Sequence, residues 1–279
     1  MSALIDAFTS PTLKHLRERW WDDEFTEFLA ETLKPRAGNR ILDIGCGEGL
    51  PELSIGRLQI SQVRLTGIEL VLEKIVQARQ TLAAHNQRAA FTAGDASHLP
   101  FASGAFDAIF CVAVLQHIAD VGAAVGEIAR SVRMGGRVVA VEPDNTARYF
   151  YSAAASGARA FDAVRRFFAA LSESRSDAVD PAIGPKLPAL FDRHGIEPLD
   201  VRLFPVSHAQ LGAPPPSLWT TRRGAIDKAM RDARDARVRA YGDESLQALA
   251  TYEADAAALG GAFVEIQHTM LFATVGQRG

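Results

Sequence analysis

The sequence predicts an α/β fold built on a doubly wound, mostly parallel sheet. Three observations carry that expectation. Short apolar runs alternate with helical stretches through residues 40–142, the pattern of strands joined by crossover helices. A glycine-rich loop, Gly45-Cys46-Gly47-Glu48-Gly49, follows the first run directly. Acids (Asp43, Glu69 and Asp95) stand at the ends of three consecutive runs.

The elements follow in order. Residues 1–37 read as an N-terminal helical cap. Trp20, Trp21, Phe25, Phe28 and Leu29 share a helical face, and Pro35 and Gly38 stop the segment. Ile41–Ile44 is a short apolar run of the kind that forms a buried parallel strand. Further strands are expected at Val63–Ile68, Ala89–Ala93, Phe106–Val112 and Arg137–Glu142. Helices are expected between them at Glu73–His85 and Val121–Val132, where apolar residues recur at helical spacing. After Pro143 the regularity breaks. Tyr149–Leu171, Lys186–His194, Ser217–Tyr241 and Glu244–Leu259 read as helices, and Leu199–Val206 and Phe263–Val275 as strands. Residues 38–143 thus form the expected core, completed by 185–207 and 263–279. Residues 144–184 and 208–262 are expected to be helical insertions that lid the carboxyl edge, since structureless loops of that length are rare.

Bulk properties exclude several classes. The chain has 279 residues, 48% of them hydrophobic, and a net charge of −3. That charge gives no global attraction to nucleic acid or to an anionic membrane. The basic stretch Arg222–Arg239 is interleaved with Asp227, Asp232 and Asp235, which reads as a solvated helix face. No apolar run is long enough for a membrane span. The start lacks the basic and apolar regions of a secretory signal, and the only cysteines are Cys46 and Cys111, so a reducing cytoplasm is expected. No metal-ligand spacing occurs.

The glycine loop carries the chemistry. Glycine lets a chain turn sharply and lets a ligand approach the backbone, and open α/β sheets bind ligands at the carboxyl ends of their strands. Dinucleotide enzymes use G-x-G-x-x-G; here the third glycine, Gly49, comes one residue early. No Gly-Lys-Ser/Thr follows, which excludes a P-loop. Glu69 lies about 20 residues past the glycines, where an acid can accept both ribose hydroxyls of a nucleoside. Asp95 could take an adenine amino group.

On these residues the sequence resembles the class I S-adenosylmethionine-dependent methyltransferases of the small-molecule, type 11-like branch. Ile41–Gly49 is similar to that family's first motif and Gly67-Ile68-Glu69 to its ribose acid. Gly94-Asp95-Ala96, with Leu99-Pro100-Phe101, resembles its adenine-side motif. Phe106–Ile109 with Leu115-Gln116-His117 resembles its fourth-strand motif, and Arg133–Arg137 its turn before the fifth strand. The resemblance implies a Rossmann-like, seven-stranded sheet whose last strand is antiparallel. It implies S-adenosyl-L-methionine as cofactor. Asp43, Gly45, Cys46, Gly47 and Gly49 would hold the methionine part, Glu69 and Leu70 the ribose side, Asp95 and Ala96 the adenine, and Cys111 and Val112 the sulfonium side. The resemblance does not give the methyl acceptor.

Methyl transfer from a sulfonium is an in-line displacement that needs positioning and exclusion of water. A base near neutral pKa assists when the acceptor must lose a proton. His117 and Glu142, just past the fourth and within the fifth strand, are the catalytic candidates. Trp20, Trp21, Tyr149, Tyr151 and Trp219 are the substrate candidates, consistent with a small, partly apolar molecule. The expected activity is methyl transfer to an O, N or C atom; the same motifs fit a binding protein that has lost catalysis, and an RNA methyltransferase is the remaining alternative. The sequence does not fix the oligomeric state, with a homodimer one option.

Overall fold

The structure, a computed structural model, describes residues 23–57, 62–174 and 179–279. Their elements are α1 (Asp23–Leu33), β1 (Arg40–Ile44), α2 (Leu50–Arg57), β2 (Arg64–Glu69), α3 (Leu72–Ala84), β3 (Ala90–Ala93), β4 (Phe106–Val112), α4 (Val121–Ser131) and β5 (Val132–Ser152). There follow α5 (Gly157–Glu173), α6 (Leu187–Arg193), β6 (Ile196–Leu211), α7 (Pro216–Asp232), α8 (Ala236–Leu259) and β7 (Val264–Arg278). Short 3-10 turns occupy Leu115–His117, Gly184–Lys186 and Gly260–Ala262.

The strands form one seven-stranded sheet in the order β3-β2-β1-β4-β5-β7-β6. The pairs β1–β2, β1–β4, β2–β3 and β4–β5 are parallel, and the last strands are antiparallel. Connections run outward from β1 in both directions, to β2 on one side and to β4 on the other. That reversal opens a crevice at the carboxyl ends of β1 and β4, where such sheets take ligands.

The described chain divides into two compact units. The first contains residues 23–144, 182–204 and 271–279, and the second 145–181 and 205–270. In the first unit the sheet is sealed on one face by Leu42, Ile44, Ile68, Ile109, Cys111, Val138 and Ala140, which join Val125, Ile128, Leu187 and Phe191 in one apolar cluster. The apolar residues of α4 recur at helical spacing, and its start is capped by Asp120, whose carboxylate accepts the Ala123 N–H at 2.9 Å. Elsewhere in this unit Phe25 and Phe28 of α1 pack on Phe204 of β6, with ring centroids 5.3 and 5.0 Å apart; Trp20 and Trp21 lie outside the described residues.

The second unit has its own core, built from Phe161, Val164, Phe167 and Phe168 of α5, Trp219 and Ile226 of α7, Leu249 and Tyr252 of α8, and Phe263. A buried ion pair sits inside it. The Arg222 guanidinium donates to both carboxylate oxygens of Glu265, at 3.0 and 2.5 Å, and Glu265 also accepts from Tyr252 and Gln267. Taking two charges out of water is costly unless they are paired and hydrogen-bonded, as these two are.

Three expectations need correction. The segment from Tyr149 is strand, not helix: β5 continues to Ser152 and α5 begins only at Gly157. Local alternation of exposed and half-buried residues through 147–152 and stacking of Tyr149 on His268 of β7, centroids 5.2 Å apart, hold it extended. The break expected near Gly242 falls instead at residues 233–235, where Asp235 caps α8 by accepting the Arg237 N–H at 2.7 Å. Gly242 lies inside that helix because a Cβ there would meet Met230 Cγ at 2.7 Å, so the glycine lets the helices pack closely. Finally, α2 was not expected, since a helix of two turns is too short to show a clear apolar period.

Candidate cofactor site at the sheet switch point

The first unit places the glycine loop, Glu69, residues 113–117 and Glu142 along one carboxyl edge. Register does this: Ile44 pairs with both Ile68 and Cys111, and Val112 pairs with Val141. Residues one step further on each strand then stand side by side.

The loop's three glycines have positive φ, +73° at Gly45, +55° at Gly47 and +83° at Gly49, a region disfavoured for residues with a Cβ. Their surroundings differ. A Cβ on Gly45 would overlap the Val114 side chain, and one on Gly49 would lie 2.9 Å from Leu82 and 3.1 Å from Ala78 of α3. Those two glycines serve packing. Gly47 faces open space, with only the Gly45 carbonyl oxygen near, at 3.9 Å. Its exposed face is the part of the loop a ligand can approach.

Glu69 turns its carboxylate toward this face. One oxygen accepts the Gly47 N–H and the other the Val71 N–H, both at 3.1 Å. An ionised carboxylate has about four acceptor positions, so capacity remains for ribose hydroxyls. Beyond Glu69 the chain exposes Leu70, Val71 and Leu72, 71%, 41% and 62% accessible, an apolar shelf suited to a nucleoside ring. Asp95 lies on the loop after β3; its carboxylate accepts the Ser97 N–H at 2.8 Å and is otherwise exposed, while Ala96 is buried.

Glu142 is fully buried at the carboxyl edge of β5. One oxygen accepts the N–H groups of Val114 and Leu115, both at 2.7 Å, and the other accepts that of Gln116 at 3.3 Å. These are the free donors at the start of the 3-10 turn Leu115–His117. Burial pushes the carboxyl up to about 7, while the three N–H groups pull it down. This geometry makes Glu142 an anchor for the β4–α4 loop rather than a group presented to a substrate. His117 lies exposed at the end of the turn that Glu142 anchors. Ala113, beside it, has φ +57°, local strain of a kind that clusters at functional sites.

Cys111 is buried in the apolar core, and burial together with Glu142 and Asp43 pushes its thiol pKa up; only its backbone and the half-buried Val112 can face a ligand. Cys46 is likewise buried with a raised thiol pKa, and its N–H donates to the Ile68 carbonyl at 3.2 Å. Among the substrate candidates, Tyr149 and Tyr151 are about half exposed, whereas Trp219 is buried edge-on to Tyr252.

Sequence reasoning missed Glu52. It sits on α2, three residues past Gly49, and is as buried as Asp43, at 1% and 2% exposure. Neither carboxyl has a hydrogen-bond partner. Burial raises both, with the Glu52 carboxyl reaching about 8 and Asp43 raised further by the charges of Glu52 and Glu69. The only sequence signal was an acid amid the apolar residues Leu50, Pro51 and Leu53.

The residues present suit S-adenosylmethionine: the glycine cradle is open at Gly47, and unpartnered acids lie beneath it for a cationic ligand end. No group of three or more His, Cys, Asp or Glu among the described residues is arranged to hold a metal ion, and no helix among them is long and apolar enough to cross a membrane.

Comparison with known proteins agrees. Residues 42–140 match the sequence family described as "Methyltransferase domain". The chain is 33% identical over 147 residues to the 27-O-demethylrifamycin SV methyltransferase of Amycolatopsis mediterranei, covering 48% of this chain and 52% of that protein. It thus spans about half the length of that relative. Among solved structures it resembles a methyltransferase from Bacillus halodurans, with TM-score 0.59, 13% identity, and coverage of 92% and 100% of the two chains. It also resembles geranyl diphosphate C-methyltransferase from Streptomyces coelicolor, solved with Mg2+, geranyl diphosphate and S-adenosyl-L-homocysteine, with TM-score 0.53, 12% identity, and coverage of 100% and 88%. At those identities the structures speak for the fold alone. Residues 42–140, which hold the glycine loop and the strand-end acids Asp43, Glu69 and Asp95, thus match a methyltransferase domain.

Proposed function

We propose that this protein transfers a methyl group from S-adenosyl-L-methionine to a hydroxyl oxygen of a small, partly apolar molecule. The observation that carries the proposal is the open face at Gly47 with the Glu69 carboxylate bonded to its N–H. The oxygen acceptor is supported by the 27-O-demethylrifamycin SV methyltransferase likeness and by His117, an exposed base beside the switch point. When bound, the cofactor supplies a methyl group activated by its sulfonium.

The chain's own residues do the rest. Gly47 admits the methionine part by backbone, Glu69 accepts from the ribose, and the Leu70–Leu72 shelf and Asp95 address the adenine. Glu142 sets the 3-10 turn through three amides and so positions His117. His117 would take the proton from the substrate hydroxyl as its oxygen attacks the methyl group that the bound cofactor would supply.

Isothermal titration with S-adenosylmethionine, followed by turnover of hydroxyl compounds read as S-adenosylhomocysteine release, tests this reading. Absence of cofactor binding would sink it. Binding without turnover on any acceptor would favour a regulatory or partner protein. His117→Ala should lower kcat about 10²–10⁴-fold, the span of general base catalysis, and leave cofactor affinity unchanged.

A further inference from the structure

Asp43 and Glu52 form a pair whose proton the reading above leaves unassigned. Asp43 pairs in register with Gly67 of β2, so its side chain leaves the sheet on the face where a Gly67 side chain would stand. That place is taken by Glu52: a Cβ on Gly67 would lie 2.5 Å from Glu52 Oε1 and 2.8 Å from Cys46 Sγ. The missing side chain at Gly67 lets the Glu52 carboxyl lie against β2 beside Asp43. All four carboxyl oxygens are buried and without a partner.

Two adjacent carboxylates cannot both remain ionised in such a place. The Glu52 backbone N–H offsets only part of the cost of burying its own carboxyl, and the neighbouring side chains offset none of it. From β1 comes Asp43 itself, from the loop the Cys46 thiol, and from the end of β2 the Glu69 carboxylate, whose charge adds to the repulsion. No cation contributes to either carboxyl. The cluster therefore holds a proton or accepts a cation.

We propose that Asp43 and Glu52 share a proton in the free protein and release it to solvent when the α-ammonium of the cofactor docks at the glycine loop. One positive charge replaces another: the proton leaves the pair, the ammonium keeps its own protons, and the local charge is unchanged. Glu52 thereby couples cofactor affinity to pH. This rests on the cofactor reading above, and its test separates the two.

The experiment is calorimetric titration at pH 7 in buffers of different ionisation enthalpy, which counts protons released per ligand bound. Three ligands are used: S-adenosylmethionine, S-adenosylhomocysteine and methylthioadenosine. The first two carry the ammonium; the third lacks it. The expected result is release approaching one proton for the first two and none for methylthioadenosine. The Glu52→Gln variant should bind S-adenosylhomocysteine with that release abolished, and its affinity should no longer rise with pH between about 6 and about 8. Equal release with methylthioadenosine, or binding with no release by the ammonium ligands, overturns the proposal while leaving the cofactor reading intact. Release by S-adenosylmethionine alone overturns it too, because it would assign the effect to the sulfonium. Binding of none of the three overturns the cofactor reading itself. The wild-type counts decide the matter even where the variant does not fold.

Discussion

Replacing Gly47 by alanine separates cofactor binding from folding, when compared with the same change at Gly45. Both residues have positive φ. The left-handed backbone costs an L-residue about 1–2 kcal/mol, offset by about 0.4–1 kcal/mol from the less flexible unfolded chain. At Gly47 nothing else opposes the methyl group, so the net loss should be about 1 kcal/mol, or about 2–4 °C in Tm for a domain of this size. At Gly45 the methyl also collides with Val114, and overpacking adds about 1–3 kcal/mol. Ligand response should run the other way. S-Adenosylhomocysteine at 100 times its Kd stabilises the wild type by about 2.7 kcal/mol; Gly47→Ala should lose most of that, because its methyl occupies the open face. Thermal unfolding with and without the ligand measures both effects. The reasoning is refuted if Gly47→Ala retains the full ligand-induced shift, or if it destabilises the free protein as much as Gly45→Ala does.

Other expectations follow from the buried charges. Glu142→Gln offers one acceptor oxygen where three amides converge, so unfolding should show a loss of about 1–3 kcal/mol; an unchanged Tm would remove Glu142 from its anchoring role. Arg222→Met strands the Glu265 carboxylate and should cost about 3–5 kcal/mol, whereas Arg222→Met with Glu265→Leu should recover most of it. Denaturant titration of the two variants checks this, and a neutral single variant would contradict it. Glu52 is raised to about 8 in the folded protein from 4.5. The folded state therefore binds the proton more tightly, and this group's contribution is full below about pH 5 and is lost as pH rises through about 8. Glu52→Gln should thus match the wild type near pH 5 and exceed it in stability near pH 8; an equal difference at both pH values would count against the assignment.

The sequence by itself determined the alternating α/β order, the strands β1 to β4 almost to the residue, and the glycine loop with Glu69 behind it. These are local signals: apolar runs of strand length, helical spacing, and glycines where the backbone must turn. Tertiary structure decided the rest. Whether Tyr149–Ser152 is strand depends on its neighbour in β7, and whether Gly242 ends a helix depends on the space Met230 needs. Glu142 reads as a catalytic acid from its place at a strand end; only folding brings its carboxylate onto the amides of a turn nearly thirty residues earlier in the chain. Gly45, Gly47 and Gly49 look alike in sequence, and packing alone makes two of them structural and leaves the third open. Glu52 carries no motif at all. Its meaning comes from lying over Gly67 beside Asp43, a juxtaposition set by strand register, which no local spacing along the chain encodes.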